Sequence, residues 1–388
     1  MRHDTLRLTD QQVLLHARSR LQAHLPLRAD GYRCTTHDLL QVLLGVAVNQ
    51  GTLEAICADL RHAPDPATIR RYLNAQLHVD DLPNLERQLN AALAAEIPQY
   101  VWDHARDVAI DFHDRPYYGT APQETGLWVR GPAKAGTTRF YRVATAYVML
   151  HGVRVTLAVH FVRPTDDTIT VLDTLLRRLD HLAFHPTRLF LDKGFAGSAV
   201  IAYLTQRQQP ALIACPIRGT TGGTRALCRG RGSYRTRHTF SGADHPPVTV
   251  EVAVCRVFTT AKRTQRHQRQ ARWLVFILIL LDLTPQQARR VYRRRFGIES
   301  SYRCTRQVRG WTTSRNVAYR FVVLALSFVL LNIWLHLRWR FTQVPRRGRR
   351  WLDTRRFPLT RLAKFPRRAL ERHYGYIQVV VAPAVPRL

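Results

Sequence analysis

The chain has 388 residues, of which 46% are hydrophobic and 22% charged, and its formal net charge at pH 7 is +32. This composition is that of a globular protein and excludes an intrinsically disordered chain. The length allows two or three domains with at least one buried core. The charge is concentrated: residues 284–388 hold 24 arginines and lysines against 3 acidic residues, and residues 218–272 hold 12 against 2. Because guanidinium groups bind phosphate in a planar, bidentate way, we expect a polyanionic partner, in the first place a nucleic acid. An anionic membrane surface is the alternative.

The cysteines and the apolar segments indicate in which cellular compartment the protein is expected. Six cysteines are scattered without a CxxC pair, which argues against a structural zinc site and against a disulfide framework. The first ten residues, MRHDTLRLTD, contain no apolar segment typical of a signal peptide. The apolar run at 321–337 reaches only the lower length limit of a membrane span and contains Asn332 and His336, so we interpret it as a buried core helix. Together these features predict a protein of the reducing cytoplasm.

Residues 1–100 are predicted to be helical. The segments 8–25 and 36–50 carry apolar residues at helical spacing, and Thr9 supplies a helix cap. Two short helices then flank the breaker HAPDP, and the second carries Arg70 and Arg71. Either a helix-turn-helix or an ordinary helical hairpin fits this pattern, so both interpretations stay open.

From residue 107 the apolar pattern changes to that of strands. The predicted elements are strands at 107–112, 137–149 and 153–162, a helix at 168–182, a strand at 187–192, a helix at 198–208 and a strand at 211–217. This order predicts a mixed α/β sheet in which the first hairpin is antiparallel and the later strands are parallel. A basic segment with a strand pair around 248–258, a strand at 273–283, two helices and an arginine-rich tail complete the chain.

Two aspartates directly follow short apolar runs: Asp111 follows VAI and Asp192 follows LFL. A carboxylate at the carboxyl edge of such a sheet enters the crevice in which open α/β sheets bind ligands. Asp114 competes with Asp111, but only Asp111 directly follows the apolar run, and we favour it. Asp166 and Asp167 precede a helical segment and are interpreted as helix caps.

A third acidic residue lies in the run VYRRRFGIESSYRCTRQ. At about 100° per residue, a helix would bring Tyr292, Arg295, Glu299, Tyr302 and Arg306 within an arc of roughly 80°. One face would then present a single carboxylate between two guanidinium groups and two phenols. An ordinary cluster of ion pairs on a helix surface is the alternative.

Three carboxylates that converge would repel one another unless a divalent cation neutralised them. Oxygen ligands of this kind select Mg²⁺ or Mn²⁺. Two such ions activate a nucleophile and stabilise the leaving oxygen in phosphoryl transfer. The sequence therefore predicts a two-metal site.

These motifs resemble those of a known family. Asp111, the run Asp192-Lys193-Gly194-Phe195 and the spacing Tyr-x2-Arg-x3-Glu from Tyr292 to Glu299 are similar to the DDE transposases of prokaryotic insertion sequences, in the group with the Tyr-Arg-Glu-Lys signature. The resemblance covers residues 105–340, and Arg306 stands where the family usually has lysine. It implies a catalytic and metal-binding triad of Asp111, Asp192 and Glu299. It also implies DNA strand cleavage and transfer with two Mg²⁺ or Mn²⁺ ions.

The fold implied is an RNase H-like mixed sheet with flanking helices, an inserted β-rich subdomain and an N-terminal helical domain. The 107 positions from Asp192 to Glu299 leave room for that insertion. The expected division is a helical domain at 1–100, the first part of the core at 105–217, the basic insertion at 218–283, core helices carrying Glu299 at 284–340 and a basic tail at 341–388.

The expected partner is double-stranded DNA, namely the terminal inverted repeats and the target. We expect a homodimer in the active complex and no membrane partner. We expect Tyr292, Arg295 and Arg306 to hold the phosphates near the cleaved bond, with further DNA contacts from Lys193 and Tyr302. Trp311 is expected to stack on an unpaired base, with local packing as the alternative. Two other functions stay open: a transposase-derived DNA-binding protein that no longer cuts, and an RNase H-like structure-selective nuclease.

Overall fold

A computed structural model describes residues 7–103, 107–118, 126–150, 153–242, 245–263, 266–296, 304–346 and 349–379. The chain forms two compact units. Unit 1 comprises Met1–Pro98 and Tyr302–Leu388, and unit 2 comprises Gln99–Ser301. Unit 1 is therefore built from both ends of the chain, and unit 2 from the continuous segment between them.

The helices of the described residues are α1 (Asp10–His24), α2 (Thr36–Val48), α3 (Leu53–Asp59), α4 (Pro66–Gln76), α5 (Leu82–Ala94), α6 (Gln99–Trp102), α7 (Thr168–His181), α8 (Ser198–Gln206), α9 (Pro285–Tyr292), α10 (Val317–Phe341) and α11 (Leu359–Tyr374). The strands are β1 (Asp30–Gly31), β2 (Cys34–Thr35), β3 (Asp107–Pro116), β4 (Val129–Lys134), β5 (Thr137–Leu150), β6 (Val153–Val162), β7 (Arg188–Leu191), β8 (Ala211–Cys215), β9 (Tyr234–Gly242), β10 (His245–Arg263), β11 (Arg266–Ile279), β12 (Gln343–Arg346) and β13 (Arg349–Leu352). The six cysteines form no disulfide with one another in the described residues.

Helix α10 forms the centre of unit 1. It is long and apolar enough to cross a membrane, yet 89% of its most apolar window is buried inside the protein. It packs against α2, α5 and α11, and its buried Asn332 donates through Nδ2 to the carbonyl of Leu93 at 3.1 Å. A helix that is apolar on every side needs cover on every side, and these neighbours supply it. The position of α10 fits the interpretation as a core helix.

The grouping of α10 and α11 differs from the predicted division. The sequence placed 284–340 in the catalytic core and 341–388 in a tail, whereas both helices pack on the N-terminal helices. The buried hydroxyl of Tyr374 in α11 lies 2.7 Å from Asp38 Oδ1 and 2.8 Å from Gln41 Oε1. The apolar face of α2 requires this cover because ten of its thirteen residues are buried.

The short helices α3 and α4 are present where the sequence predicted them. An ion pair joins Arg70 of α4 to Glu54 of α3, and the guanidinium of Arg71 lies over the ring of Tyr72, 5.6 Å from its centroid. The cap of α1 is also as predicted, since Thr9 accepts a hydrogen bond from the backbone N–H of Gln12.

Unit 2 is built on a mixed sheet. Its strand order is β4-β5-β3-β7-β8-β11-β10-β9, and β6 pairs with the outer edge of β5. β3, β5 and β6 are antiparallel neighbours, while β7 and β8 run parallel to β3. The connections through α7 and α8 are crossovers of the βαβ kind. This mixed sheet with flanking helices confirms the predicted fold class.

The predicted insertion is part of the same sheet. β11 pairs antiparallel with β8 from Val275↔Cys215 to Ile279↔Ala211, and β10 and β9 continue outward. The apolar residues 275–279 are buried, so they serve both as an internal strand of the sheet and as the link to the outer hairpin. The basic segment therefore extends the sheet and does not form a separate body in the described residues.

Unit 1 also holds a buried carboxylate, Glu96, whose side chain is inaccessible to solvent. Its oxygens lie 3.0 Å from Nε2 of His16, 2.5 Å from Nε of Arg20 and 3.7 Å from Nδ1 of His336. Burial alone would raise the pKa of Glu96, but the hydrogen bond from His16 and the neighbouring positive charges hold it below its usual value. This cluster joins α1 to α10, from opposite ends of the chain.

We expect Glu96→Ala to lower the free energy of unfolding by about 2 kcal/mol at pH 7, since it removes a fully buried carboxylate together with its hydrogen bond to His16 and its ion pair with Arg20. Glu371→Ala is the control, because Glu371 forms a surface pair with Arg367 and its loss should cost at most about 0.5 kcal/mol. Because the pKa of Glu96 is depressed in the folded protein, its contribution should vanish as the pH falls through that lowered pKa, below 4.5. Urea unfolding measures both variants, and equal losses would contradict the assignment.

Candidate active site

Two carboxylates meet where strands β3 and β7 stop pairing. The last pair of their parallel register is Ile110↔Leu191, and the next residues are Asp111 and Asp192. Neighbouring strands lie about 4.8 Å apart and side chains alternate in step along them, so both carboxylates project from the same face of the sheet. The sequence had placed Asp111 at the end of its strand. The structure differs, because pairing with β5 carries β3 on to Pro116.

Asp111 is largely buried, with 18% of its side chain exposed. Its Oδ1 accepts a hydrogen bond from the N–H of Phe112 at 3.0 Å and lies 3.1 Å from Nη2 of Arg295. Burial raises the pKa of Asp111 to about 6; the Arg295 charge opposes this rise, and the charge of Asp192 adds to it. The site therefore concentrates negative charge where solvent screens it poorly.

Asp114 has a different environment. Strand alternation directs it to the opposite face from Asp111, and Arg142 of β5 binds it with both Nε (2.6 Å) and Nη2 (2.9 Å). The guanidinium of Arg142 also lies over the ring of Phe112, 5.1 Å from its centroid. Because Asp114 is engaged in a bidentate ion pair, the geometry favours Asp111, in agreement with the preference drawn from the sequence. The part played by Arg142 was missed, since only the strand register reveals it.

The run Asp192-Lys193-Gly194-Phe195 forms a tight turn after β7. Asp192 Oδ1 accepts from the N–H of Gly194 at 2.8 Å and caps the 3₁₀ helix Lys193–Phe195. The fully buried ring of Phe195 stacks on Phe112 with centroids 4.9 Å apart and planes within 3°. This stack anchors the turn to β3, so it fixes Asp192 beside Asp111 and leaves Lys193 exposed.

Tyr292 supports the site from below the surface. Its side chain is 3% exposed, and its hydroxyl donates to the carbonyl of Leu191 at 3.0 Å. Burial raises its pKa to about 12. This position differs from the predicted phosphate contact, because a buried phenol bonded to the backbone has no surface to offer DNA. Tyr292 instead holds the end of α9 against the residue that precedes Asp192.

The predicted long helix is interrupted after Tyr292. Helix α9 ends at Tyr292 and passes into the 3₁₀ helix Arg293–Phe296, which carries Arg295. Glu299 and Tyr302 lie outside the described residues. Arg306 begins the short 3₁₀ helix Arg306–Val308, which belongs to unit 1. Cys304 and Thr305 are α-helical again. The predicted face from Tyr292 to Arg306 passes through residues 297–303, which lie outside the described residues, so it stays a prediction.

Arg295 is the cation of the site. Only 11% of its side chain is exposed, and its guanidinium lies 5.7 Å from the centroid of the Tyr292 ring. The predicted contacts through Lys193, Arg306 and Trp311 stay predictions. Trp311 is 52% exposed in unit 1, where the guanidinium of Arg309 lies over its ring, 5.2 Å from its centroid.

The interpretation of Asp166 and Asp167 as helix caps is confirmed for Asp167 and wrong for Asp166, which precedes the cap position. Asp167 caps α7 by accepting from the N–H of Thr170 at 2.7 Å. Asp166 closes the preceding turn by accepting from the N–H of Arg163 at 2.7 Å.

The donor set fits a hard divalent cation. Asp111 and Asp192 offer carboxylate oxygens side by side. Burial raises the pKa of Asp111, and the charge of Arg295 offsets this rise only in part. Carboxylate oxygens are the ligands that Mg²⁺ and Mn²⁺ prefer. Among the residues that the structure describes, no group of three or more His, Cys, Asp or Glu is arranged to hold a metal. The predicted third acid, Glu299, is not among them.

A sheet of this order, with acidic side chains on its first and fourth core strands, defines an RNase H-like fold. The sequence matches the family model described as "Transposase DDE domain" over residues 103–335, more than half of the chain. The protein therefore belongs to the family of transposases with a DDE domain.

The structure is similar to a cryo-EM structure of the piggyBac transposase synaptic complex with hairpin DNA. The TM-score is 0.54 at 8% sequence identity, and the match covers 95% of this chain and 77% of the other. Similarity at this level of identity concerns the fold. No curated protein matches the sequence.

We expect Asp111→Asn to stabilise the protein in the presence of EDTA at pH 8. The pKa of Asp111 rises from 3.8 to about 6 in the folded protein, so the free energy of unfolding falls as the pH rises from 3.8 to about 6, and the loss is complete above that range. The gain should be roughly 1–3 kcal/mol at pH 8 and should vanish below about pH 4.

The control is Asp114→Asn, which removes the charge from the bidentate pair with Arg142. It should destabilise the protein at pH 8 by about 1 kcal/mol or more. Denaturant unfolding at the two pH values measures both variants. A loss of stability in Asp111→Asn at pH 8 would contradict the raised pKa of Asp111 in the folded protein.

Proposed function

We propose that the protein is an insertion-sequence transposase of the Tyr-Arg-Glu-Lys group, which binds terminal inverted repeats and cuts and joins DNA strands. The observation that carries this proposal is the adjacent pair Asp111 and Asp192 at the point where two parallel strands stop pairing. Membership of the DDE transposase family supports it. The net charge of +32 supports a polyanionic substrate.

Asp111, Asp192 and Glu299 are the proposed ligands of two Mg²⁺ or Mn²⁺ ions. When bound, such ions activate the attacking oxygen and stabilise the leaving oxygen of a phosphodiester. The protein contributes a fixed geometry: the Phe195–Phe112 stack holds the Asp192 turn, and the Tyr292 hydroxyl holds α9 against β7. Rigid supports of this kind matter because small displacements of catalytic groups cost large factors in rate.

Arg295 is the proposed phosphate-binding residue of the site. Its guanidinium already lies beside the Asp111 carboxylate in a largely buried position, where a positive charge acts on a phosphate with little screening. Lys193 is exposed next to Asp192 and suits a contact with the DNA backbone. Arg306, Tyr302 and Trp311 are proposed as further contacts on the same substrate.

The proposed cycle begins with hydrolysis of one strand at each element end. The freed 3′-hydroxyl then attacks a phosphodiester of the target in line. Pairing two ends in one reaction favours a homodimer bound to double-stranded DNA, in a cytoplasmic, nucleoid-associated setting.

The main test replaces Asp111, Asp192 and Glu299 singly by Ala. Each change should abolish Mg²⁺-dependent nicking of a duplex that carries the inverted repeat of the element, while binding to the same duplex in EDTA stays near the wild-type level. The reason is that the acids hold the ions, whereas basic residues hold the phosphates. Asp180→Ala is the control, since Asp180 lies on α7 and pairs with Arg207.

Joining of the cut ends to a plasmid distinguishes the proposed reaction from its rivals. Cleavage without joining would indicate a structure-selective nuclease, and binding without cleavage by the wild-type protein would indicate an inactive descendant. Full nicking activity in Asp192→Ala would refute the metal-ligand assignment.

A second test concerns Arg295. Arg295→Ala should lower the cleavage rate by roughly 10²-fold, the scale of a positioned electrostatic contact, with little change in DNA affinity. Arg293→Ala is the matched control, because Arg293 lies in the same 3₁₀ helix with an exposed side chain. Arg306→Lys should be mild, since it retains the charge. Single-turnover cleavage measures all three, and equal effects at 293 and 295 would contradict the role of Arg295.

A further inference from the structure

A β-bulge in β6 changes which face of the sheet its side chains occupy. As far as Ala146↔Ala158, β5 and β6 pair residue by residue, but the next pair is Tyr147↔Thr156, so Leu157 is an extra residue in β6. A bulge shifts the alternation of side chains by one position, and bulges are frequent beside active sites, where they redirect a side chain. The residues of β6 that precede the bulge therefore lie on the face opposite to the one that an unbroken register would give them.

The bulge places Arg154 on the face of the sheet that carries Asp111. Asp111 pairs with Thr145 of β5, and positions 145, 147 and 149 of β5 share its face because side chains alternate along a strand. Arg154 is the cross-strand partner of Met149, so it lies on this face as well. Without the extra residue, Met149 would pair with Val155, and Arg154 would lie on the opposite face.

Arg154 contacts the 3₁₀ helix that carries Arg295. Its Nη2 donates to the carbonyl of Arg294 at 3.3 Å. Its guanidinium lies 6.0 Å from the ring centroid of Tyr147, a residue of β5 that is 4% exposed. The aromatic ring limits the directions in which the guanidinium can point, so this cation joins β5 and β6 to the backbone of the 3₁₀ helix.

This contact matters because the 3₁₀ helix is short. It spans four residues after α9 ends at Tyr292, and 3₁₀ hydrogen bonds have poorer geometry than α-helical ones. Nevertheless Arg295 is held with 11% of its side chain exposed and with Nη2 3.1 Å from Oδ1 of Asp111. The carbonyl that Arg154 binds belongs to the peptide group between Arg294 and Arg295. The hydrogen bond therefore acts directly on the backbone of Arg295.

We infer that Arg154 is a positioning residue of the site: it holds the 3₁₀ helix against β5 and β6, and thereby keeps the guanidinium of Arg295 beside Asp111. Arg154 acts through Arg295 and does not itself bind the reacting phosphate. The part of Arg295 in cleavage rests on the proposed function, whereas the contact between Arg154 and the Arg294 carbonyl does not depend on it. Two arginines on one face of the sheet thus have different tasks, since one binds phosphate and the other orients it.

The test compares three substitutions. Arg154→Met keeps much of the side-chain volume and removes the hydrogen-bond donor, while Arg154→Lys keeps a donor for the Arg294 carbonyl. Arg139→Met is the matched control, because the guanidinium of Arg139 also lies over an aromatic ring, 5.2 Å from the centroid of Trp128. Arg139 lies six positions before Thr145 on β5, which is about 20 Å along the strand from the partner of Asp111.

Single-turnover cleavage of the inverted-repeat duplex measures the effect on the reaction. Arg154→Met should lower the rate by roughly 10-fold at unchanged affinity for the duplex in EDTA, since a misplacement of about 1 Å can cost as much as 10²-fold. Arg154→Lys should recover most of this loss, and Arg139→Met should cleave at the wild-type rate. In the Arg295→Ala background, Arg154→Met should have no further effect, because a residue that acts only through Arg295 is not additive with it.

Two kinetic outcomes would overturn the inference. One is an equal loss of rate from Arg154→Met in the presence and in the absence of Arg295, since Arg154 would then act independently. The other is a loss in Arg154→Lys as large as in Arg154→Met, since the hydrogen bond to the Arg294 carbonyl would then not be the cause.

The order of the Arg295 side chain can be measured without DNA and without metal. The ¹⁵N heteronuclear NOE of its Nε–Hε group, assigned by its loss in Arg295→Ala, reports motion of the guanidinium in EDTA. The NOE should fall in Arg154→Met and stay at the wild-type value in Arg154→Lys and Arg139→Met. A role in general stability alone would lower the midpoint of urea unfolding and leave this NOE unchanged, and that result would also overturn the inference.

The outcome can be separated from that of the main catalytic test. If the wild-type protein fails to cleave DNA but Arg295 becomes mobile in Arg154→Met, the positioning role stands and the transposition reaction does not. If cleavage requires Asp111 and Asp192 but Arg154→Met changes neither the rate nor the order of Arg295, the reaction stands and the assignment of Arg154 is wrong.

Discussion

The register between β3 and β7 is the constraint on which the rest of unit 2 depends. It places Asp111 next to Asp192 and at the same time buries Asp111 between neighbouring strands. Two like charges in a poorly screened position repel each other. The surrounding residues must therefore supply positive charge, or fix the two carboxylates in place by packing and hydrogen bonds. Arg295 supplies the charge. The buried hydroxyl of Tyr292 and the stacked ring of Phe195 provide the mechanical support.

That arrangement also explains why the ionised Asp111 carboxylate lowers the stability of a fold that is otherwise well packed. The central strands β3, β7 and β8 are buried along almost their whole apolar length, and this core offsets the cost of keeping a carboxylate out of water. The proposed role of Asp111 sets activity against stability at one side chain, as is common at catalytic sites. Asp114, three residues along the same strand, has the opposite character because Arg142 satisfies it fully.

The central strands, and the positions of Asp111 and Asp192 after their apolar runs, could be predicted from the sequence. Apolar runs of strand length followed by an acidic residue are recognisable without tertiary information. It also indicated the caps at Thr9 and Asp167, whose hydrogen bonds are local. The change from α-helix to 3₁₀ helix after Tyr292 was not predicted, since helical spacing of side chains does not distinguish the two hydrogen-bonding patterns. The polar edge strand β4 escaped detection, because its residues show no alternation of apolar and polar side chains.

Long-range grouping was the other limit. Nothing in the local pattern of 317–374 indicates that α10 and α11 belong with α1, α2 and α5, because that grouping depends on contacts between the two ends of the chain. The same holds for the outer hairpin, where the sequence shows basic residues but only the register shows that they project past the end of β8.

The assembly of unit 1 from both ends has a consequence for synthesis on the ribosome. Asp38 and Tyr374 are separated by 336 positions in the chain, and at about 5–20 residues per second the second emerges roughly 15–70 s after the first. Throughout that interval α1, α2 and α5 lack the cover that α10 and α11 give them among the described residues. Unit 2 is a continuous segment, so it can fold as soon as its own residues have emerged. A nascent chain therefore completes the sheet of unit 2 before its helical unit, and the early helices need protection from aggregation until translation ends.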